Sequence, residues 1–182
     1  MEWKLVKSER GPEYKIFSVR FDYKINPRNG KTVKVIVLES QDSVNVVAVS
    51  KDQKILFIRQ HRFGTGENTL ELPGGLIDPG EDPLVACKRE LREETGYTGT
   101  GWQPLGKIGS NPVYFDNYVH HFTTSGIELS QETDFDEEEA IEPVMIPVSK
   151  AKAMLFNGKF DHPHTVNALI RYFGQRRKTT SE

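Results

Sequence analysis

The chain has 182 residues, enough for one ample core with a small appended subdomain. Lys and Arg number 24 against 26 Asp and Glu, so a net charge of −2 gives no electrostatic reason to expect nucleic acid or a membrane as partner. A lone cysteine, Cys87, excludes an intrachain disulfide. The opening MEWKLVKSERG has no apolar signal-type run, and no stretch nears the roughly 20 apolar residues of a bilayer span, so the expected setting is the reducing cytoplasm.

The first forty residues read as strand. Tyr14 to Ile25 alternates loosely and is rich in aromatic and β-branched residues; Asn26-Pro27-Arg28-Asn29-Gly30 signals a turn, and Lys31 to Leu38 follows as a second strand. The expectation is a small N-terminal antiparallel β-subdomain over residues 1–40. Val44 to Val49 and Lys54 to Gln60 predict a hairpin around Lys51-Asp52-Gln53, and Thr69 to Leu72 a short strand running into Pro73-Gly74-Gly75. A helix of about three turns is predicted from Pro83 to Thr95. Asp82 suits its N-cap, Pro83 its first position and Gly96 the left-handed residue past its end. Trp102 to Ile108, Tyr118 to Thr123 and Ile141 to Ile146 read as strands, and Glu132 to Glu139 as an acidic loop. Ser149 to Phe156, with Ser149 as N-cap, and Thr165 to Phe173, with its stripe Val166, Leu169, Ile170 and Phe173, predict helices. This order suits a mixed sheet between helices over residues 41–175, followed by a polar tail at 176–182.

The chemistry concentrates in GLIDPGEDPLVACKRELREETGY, residues 75 to 97. At about 100° per residue, Glu90, Glu93 and Glu94 share one sector of the predicted helix, while Leu84, Cys87 and Leu91 form an adjoining apolar sector. Three crowded carboxylates repel unless a positive charge sits among them, and hard divalent cations prefer oxygen ligands. Glycines at 74 and 75 keep bulky side chains away from such a site. Cys87, on the apolar side, reads as a buried thiol. His120 and His121, adjacent on a strand, point to opposite faces and are not a ligand pair. His162 and His164 flank Pro163 and carry no assigned chemistry.

The pattern G-x5-E-x7-R-E-U-x-E-E-x-G-U, with U a bulky apolar residue, is matched by Gly75, Glu81, Arg89, Glu90, Leu91, Glu93, Glu94 and Gly96, with Tyr97 in place of the usual aliphatic residue. In this the chain resembles the Nudix hydrolases. The resemblance implies an α/β/α sandwich with a mixed sheet. It also implies hydrolysis of a pyrophosphate bond with Mg²⁺ or Mn²⁺ held by Glu90, Glu93, Glu94 and the Gly74 carbonyl. Arg89 would pair with a neighbouring carboxylate, and Glu81 would orient the loop or bind a metal indirectly.

The N-terminal β region and Pro112 resemble the ADP-ribose pyrophosphatase branch, although Ser110-Asn111-Pro112-Val113-Tyr114 departs from its commonest version. That branch implies a homodimer, a small-molecule nucleotide substrate, and a catalytic base among Glu137, Glu138 and Glu139, with Glu93 also at the reaction centre. It implies substrate contacts from Arg62, in Gln60-His61-Arg62, and from Glu71, Pro112 and Tyr114. The expected reaction takes ADP-ribose to AMP and ribose 5-phosphate. The alternatives are a different nucleotide sugar, a dinucleoside polyphosphate, a nucleoside triphosphate, or a module that senses a nucleotide without cleaving it.

Overall fold

The computed structural model describes residues 1–130 and 140–179, the last four of these by backbone alone. The chain divides into two compact units, Met1–Asp42 with Ile108–Tyr118, and Ser43–Lys107 with the chain from Val119 onward. The segment from Ile108 to Tyr118 therefore counts with the N-terminal unit, although sequence alone placed it in the larger one.

The first unit carries an antiparallel sheet of three strands, β1 (Lys4–Glu13), β2 (Ser18–Ile25) and β3 (Thr32–Glu39), in that order. The Asn26–Gly30 turn joins β2 to β3 in unbroken register, from Ser18 opposite Glu39 to Ile25 opposite Thr32. The sequence pattern gives the first forty residues strand character but no bounds for β1. Lys4, Lys7, Glu9, Arg10 and Glu13 break any apolar alternation, and the strand exists because β2 offers its free edge. Asp22, buried on β2, is compensated by the Ser8 hydroxyl at 2.7 Å and the Arg20 guanidinium at 3.0 Å.

The second unit is built on a six-stranded mixed sheet of β4 (Ser43–Ser50), β5 (Lys54–Arg62), β6 (Glu67–Glu71), β7 (Tyr97–Gly109), β8 (Tyr118–Leu129) and β9 (Glu142–Pro147), whose main path runs β6-β5-β4-β8-β7 while β9 pairs with β5. β4 and β8 are parallel, with Val46 opposite Phe122; β5 is antiparallel to β4, β6 and β9. Side chains alternate across a strand, and β4 shows what this does. Val44, Val46 and Ala48 pack with Ala86, Cys87 and Leu91 of α1 (Pro83–Thr95). Val47 and Val49 pack with Ala151 and Leu155 of α2 (Val148–Phe156) and Leu169 and Phe173 of α3 (Pro163–Thr179). A strand apolar on both faces needs a helical layer on each side, and the outcome is an α/β/α sandwich.

α1 has the expected bounds. Asp82 Oδ1 accepts from the Leu84 and Val85 amides, and Gly96, at φ 74°, closes the other end by donating to Arg92 O at 2.7 Å. α2 differs from expectation at its start. It begins at Val148, Pro147 stands at the cap position, and no side chain caps it; Ser149 lies inside the helix because the chain turns directly out of β9. No helix among the described residues is long and apolar enough to cross a membrane.

Candidate active site

The strand β6 ends at Glu71, and the next five residues, the first part of the connection to α1, are under close restraint. Leu72 N–H donates to Thr165 Oγ1 at 3.1 Å, Val46 N–H to Pro73 O at 3.0 Å, Gly74 N–H to Glu94 Oε2 at 2.8 Å, and Val44 N–H to Gly75 O at 2.9 Å. Arg89 Nη2 donates to Leu76 O at 3.1 Å. Gly74 is a steric necessity, and Gly75 leaves room for a carboxylate. A Cβ on Gly74 would lie 2.0 Å from Val44 O and 2.6 Å from Asn45 Cα, both backbone atoms of β4. A Cβ on Gly75 would lie 2.6 Å from the carboxylate atoms of Glu90. No hydrogen bond to the Gly74 carbonyl is found among the described residues.

Arg89 is the hub of the acidic side of α1. Its Nε and Nη2 clasp both oxygens of Glu81 at 3.1 and 2.9 Å, and its Nη1 reaches Glu90 at 2.8 Å and Glu93 at 3.1 Å. Glu81 also accepts from the Asp78 amide, which folds the loop before the helix onto the same guanidinium. The hydrogen bonds Arg89 gives to Glu81, with the charge of Glu90 and the bonds to Glu90 and Glu93, hold its guanidinium firmly protonated. The Arg89 bond in turn keeps Glu81 below the usual carboxylate range. Glu94 is buried, at 4% exposure, and its carboxylate faces the glycine turn.

Glu90, Glu93 and Glu94 thus lie on one side of one helix, and Arg89 meets two of them. Among the described residues, no trio of Asp, Glu, His or Cys side chains is drawn around a single point. The donor set nevertheless suits a hard cation: it is all oxygen, it includes a carbonyl in a turn free of side chains, and the Glu90 carboxylate fills the space a Cβ at 75 would take. Cys87 points the other way, into the core, and burial pushes its thiol pKa far up, which makes it inert.

A second polar cluster lies at the end of β5 and β6. Arg62 donates from Nε and Nη2 to the two oxygens of Glu71 at 2.7 and 2.6 Å, the bidentate geometry of a strong pair. Glu71 is only 1% exposed, and the Thr69 hydroxyl also donates to it. Burial works to raise the Glu71 carboxyl, but the Arg62 and Thr69 bonds outweigh it and hold the group below its ordinary value. His162, just before α3, brings Nδ1 within 3.2 Å of Glu71 Oε2 and 3.2 Å of Thr165 Oγ1. Sequence reading left Thr165 and His162 without a role, since nothing local links the first turn of the last helix to residue 72.

On β8 the adjacent histidines separate as alternation requires. His120 is half-buried, while His121 is fully buried with its Nδ1 2.7 Å from Asn45 Oδ1. Burial lowers the His121 pKa to about 4, with the Arg171 and His164 charges acting in the same direction. Pro112 and Tyr114 belong to the first unit, both exposed, and the Tyr114 carbonyl accepts from Leu38 N–H at 2.7 Å. Glu137, Glu138 and Glu139 lie outside the described residues.

The NUDIX domain family model matches residues 39–169. The chain is 31% identical to the ADP-ribose pyrophosphatase of Bacillus subtilis (strain 168), over 68% of this chain and 67% of that one. It is 27% identical to the methanol dehydrogenase activator of Bacillus methanolicus, over 82% and 81% of the two chains. A crystal structure of an ADP compounds hydrolase superposes with a TM-score of 0.84 at 23% identity, covering 98% of this chain and 96% of that one, which is a likeness of fold.

Proposed function

We propose, from the premise that the chain belongs to the NUDIX family, that it is a metal-dependent pyrophosphohydrolase whose substrate is a nucleoside diphosphate linked to a sugar, ADP-ribose first. The products are AMP and ribose 5-phosphate, formed by attack of water on one phosphorus. The observation that carries this reading is the pairing of the bare Gly74-Gly75 turn with the acidic side of α1, where Glu94 reaches Gly74 and Glu90 lies over Gly75. The similarity to an ADP-ribose pyrophosphatase supports the choice of substrate.

Glu90, Glu93, Glu94 and the Gly74 carbonyl would hold Mg²⁺ or Mn²⁺. A divalent ion there supplies positive charge against the charge developing on the phosphate oxygens and acidifies bound water. Arg89 holds Glu90 and Glu93 in place and ties the loop carbonyl of Leu76 to the helix. One of Glu137, Glu138 and Glu139 takes the proton from the attacking water. Arg62 is exposed enough for its outer edge to meet a phosphate while its fork stays on Glu71, and Pro112 and Tyr114 contact the nucleotide. Trp3, Leu5, Val6 and Ile36 of the first unit are exposed apolar side chains, and the resemblance to the ADP-ribose pyrophosphatase branch supports assembly as a homodimer.

A module that binds a nucleotide without cleaving it is disfavoured, because no carboxylate of the motif is missing. The test is monophosphate release from a panel of nucleotide sugars, dinucleoside polyphosphates and nucleoside triphosphates, with Mg²⁺ and with Mn²⁺, for the wild type and Glu94→Gln. The expected result is release of AMP from ADP-ribose that needs the metal and is lost in the variant at unchanged fold. Wild-type turnover by Glu94→Gln, or no metal-dependent release from any substrate, would overturn the reading.

A further inference from the structure

The restraint on residues 71–76 has one end outside the motif. Four side chains form an unbroken polar chain from β5 to the Leu72 amide: Arg62 clasps Glu71, His162 Nδ1 lies 3.2 Å from Glu71 Oε2 and 3.2 Å from Thr165 Oγ1, and Thr165 Oγ1 accepts from Leu72 N–H at 3.1 Å. Thr165 is wholly buried. A hydroxyl has one proton and two lone pairs. With one lone pair taken by Leu72, the Thr165 hydroxyl closes the chain by accepting from a His162 Nδ1–H that also faces Glu71 Oε2; the opposite polarity, with Thr165 donating to Nδ1, would leave the Glu71–His162 contact without a proton.

We propose that Thr165 and His162 are positioning residues for the metal-holding turn, acting through the Leu72 amide and the Glu71 carboxylate. The inference rests on the metal-dependent reading above. Gly74 lies two residues beyond Leu72, donates to Glu94 and supplies the carbonyl assigned to the metal. It has no slack on the far side, since Val44 O stands where its Cβ would be. A shift at Leu72 is therefore passed on to Gly74 and Glu94. A second tie fixes the same register: Asn45 Nδ2 donates to His164 O at 3.3 Å, while the amides on either side of Asn45 hold Pro73 O and Gly75 O. The start of α3 and the turn are thus referred to one stretch of β4.

The experiment compares Thr165→Val, which keeps the shape but removes the acceptor, with Thr165→Ser, which keeps the hydroxyl. Leu155→Val on α2 serves as a core control. Three quantities are read on the full chain without substrate: Mn²⁺ affinity by electron paramagnetic resonance, Leu72 amide exchange by NMR, and Tm. Thr165→Val is expected to lose about tenfold or more in Leu72 protection and to weaken Mn²⁺ binding about tenfold, as changes to groups that orient ligands do. Thr165→Ser is expected to keep both within about twofold, and the core control to lose Tm with Mn²⁺ affinity unchanged. If Thr165→Val does not fold, His162→Ala reads the chain from its other end, with Mn²⁺ binding weakened about threefold. Wild-type Mn²⁺ affinity in a folded Thr165→Val or His162→Ala variant, or a Thr165→Ser variant as impaired as Thr165→Val, would overturn the positioning role. A wild-type protein that binds no Mn²⁺ would show itself as a blank titration and overturn the functional reading on which the role rests.

Discussion

Replacing Gly75 with alanine separates the site from the fold. Gly75 is not among the residues with positive φ, so alanine is conformationally allowed there. The new Cβ would lie 2.6 Å from Glu90 Cδ, Oε1 and Oε2, against the 3.4 Å at which ordinary contact begins. The carboxylate must retreat by about 0.8 Å. It can do so, because it is the far end of a flexible side chain, but its 2.8 Å bond from Arg89 is strained or lost. The restricted unfolded chain offsets part of the cost by about 0.4–1 kcal/mol, so Tm should stay within a few degrees of the wild type. A displacement near 1 Å in a catalytic constellation costs about 10²-fold, equivalent to about 2.7 kcal/mol of transition-state stabilisation. The assay is kcat/KM for metal-dependent AMP release alongside Tm. Gly74→Ala is the contrast: its Cβ meets the backbone of β4 at 2.0 Å, which cannot yield, and about 3 kcal/mol or more of stability should go with it. A Gly75→Ala protein with wild-type kcat/KM and metal midpoint would refute the placement of Glu90 in the reaction, and one that unfolds would refute the claim that Glu90 can move aside.

Arg89→Lys removes the fork that spans Glu81, Glu90, Glu93 and the Leu76 carbonyl, and an ammonium cannot span them all. It should cost about 2 kcal/mol, lowering Tm by roughly 4–8 °C, together with most of the activity; a Tm unchanged from wild type would show that the hub is not structural. His121 sets a pH limit. Its folded pKa, lowered to about 4 by burial, lies below its ordinary 6.5, so the unfolded chain takes the proton first. Its contribution is fully present above about pH 6.5 and is lost as pH falls towards 4, amounting to about 2 kcal/mol at pH 5. Urea unfolding at pH 7.5 and 5 should show a smaller loss for His121→Gln than for the wild type, and equal losses would contradict the burial argument.

What sequence alone determined is local and chemical. The bounds of α1 follow from Asp82, Pro83 and Gly96, because a cap and a left-handed terminus act within a few residues of themselves. The three glutamates on one side follow from the helical period and need no tertiary contact. The layered core was legible from the order of elements, since the strands and helices in that sequence suit a mixed sheet between helices. Tertiary structure decided the rest. β1 forms against the free edge of β2 despite its charges, and α2 starts where β9 ends, whatever Ser149 would prefer. β5 and β6 pair with Arg62 opposite Glu67, and Arg62 meets Glu71 four residues further on only because its long side chain runs back along β6. Thr165 reaches Leu72 because α3 returns across the sheet, a contact 93 residues apart that no short-range pattern encodes. Local sequence sets what each segment can do, and only the closing of the sheet between its helices chooses which distant polar groups satisfy one another.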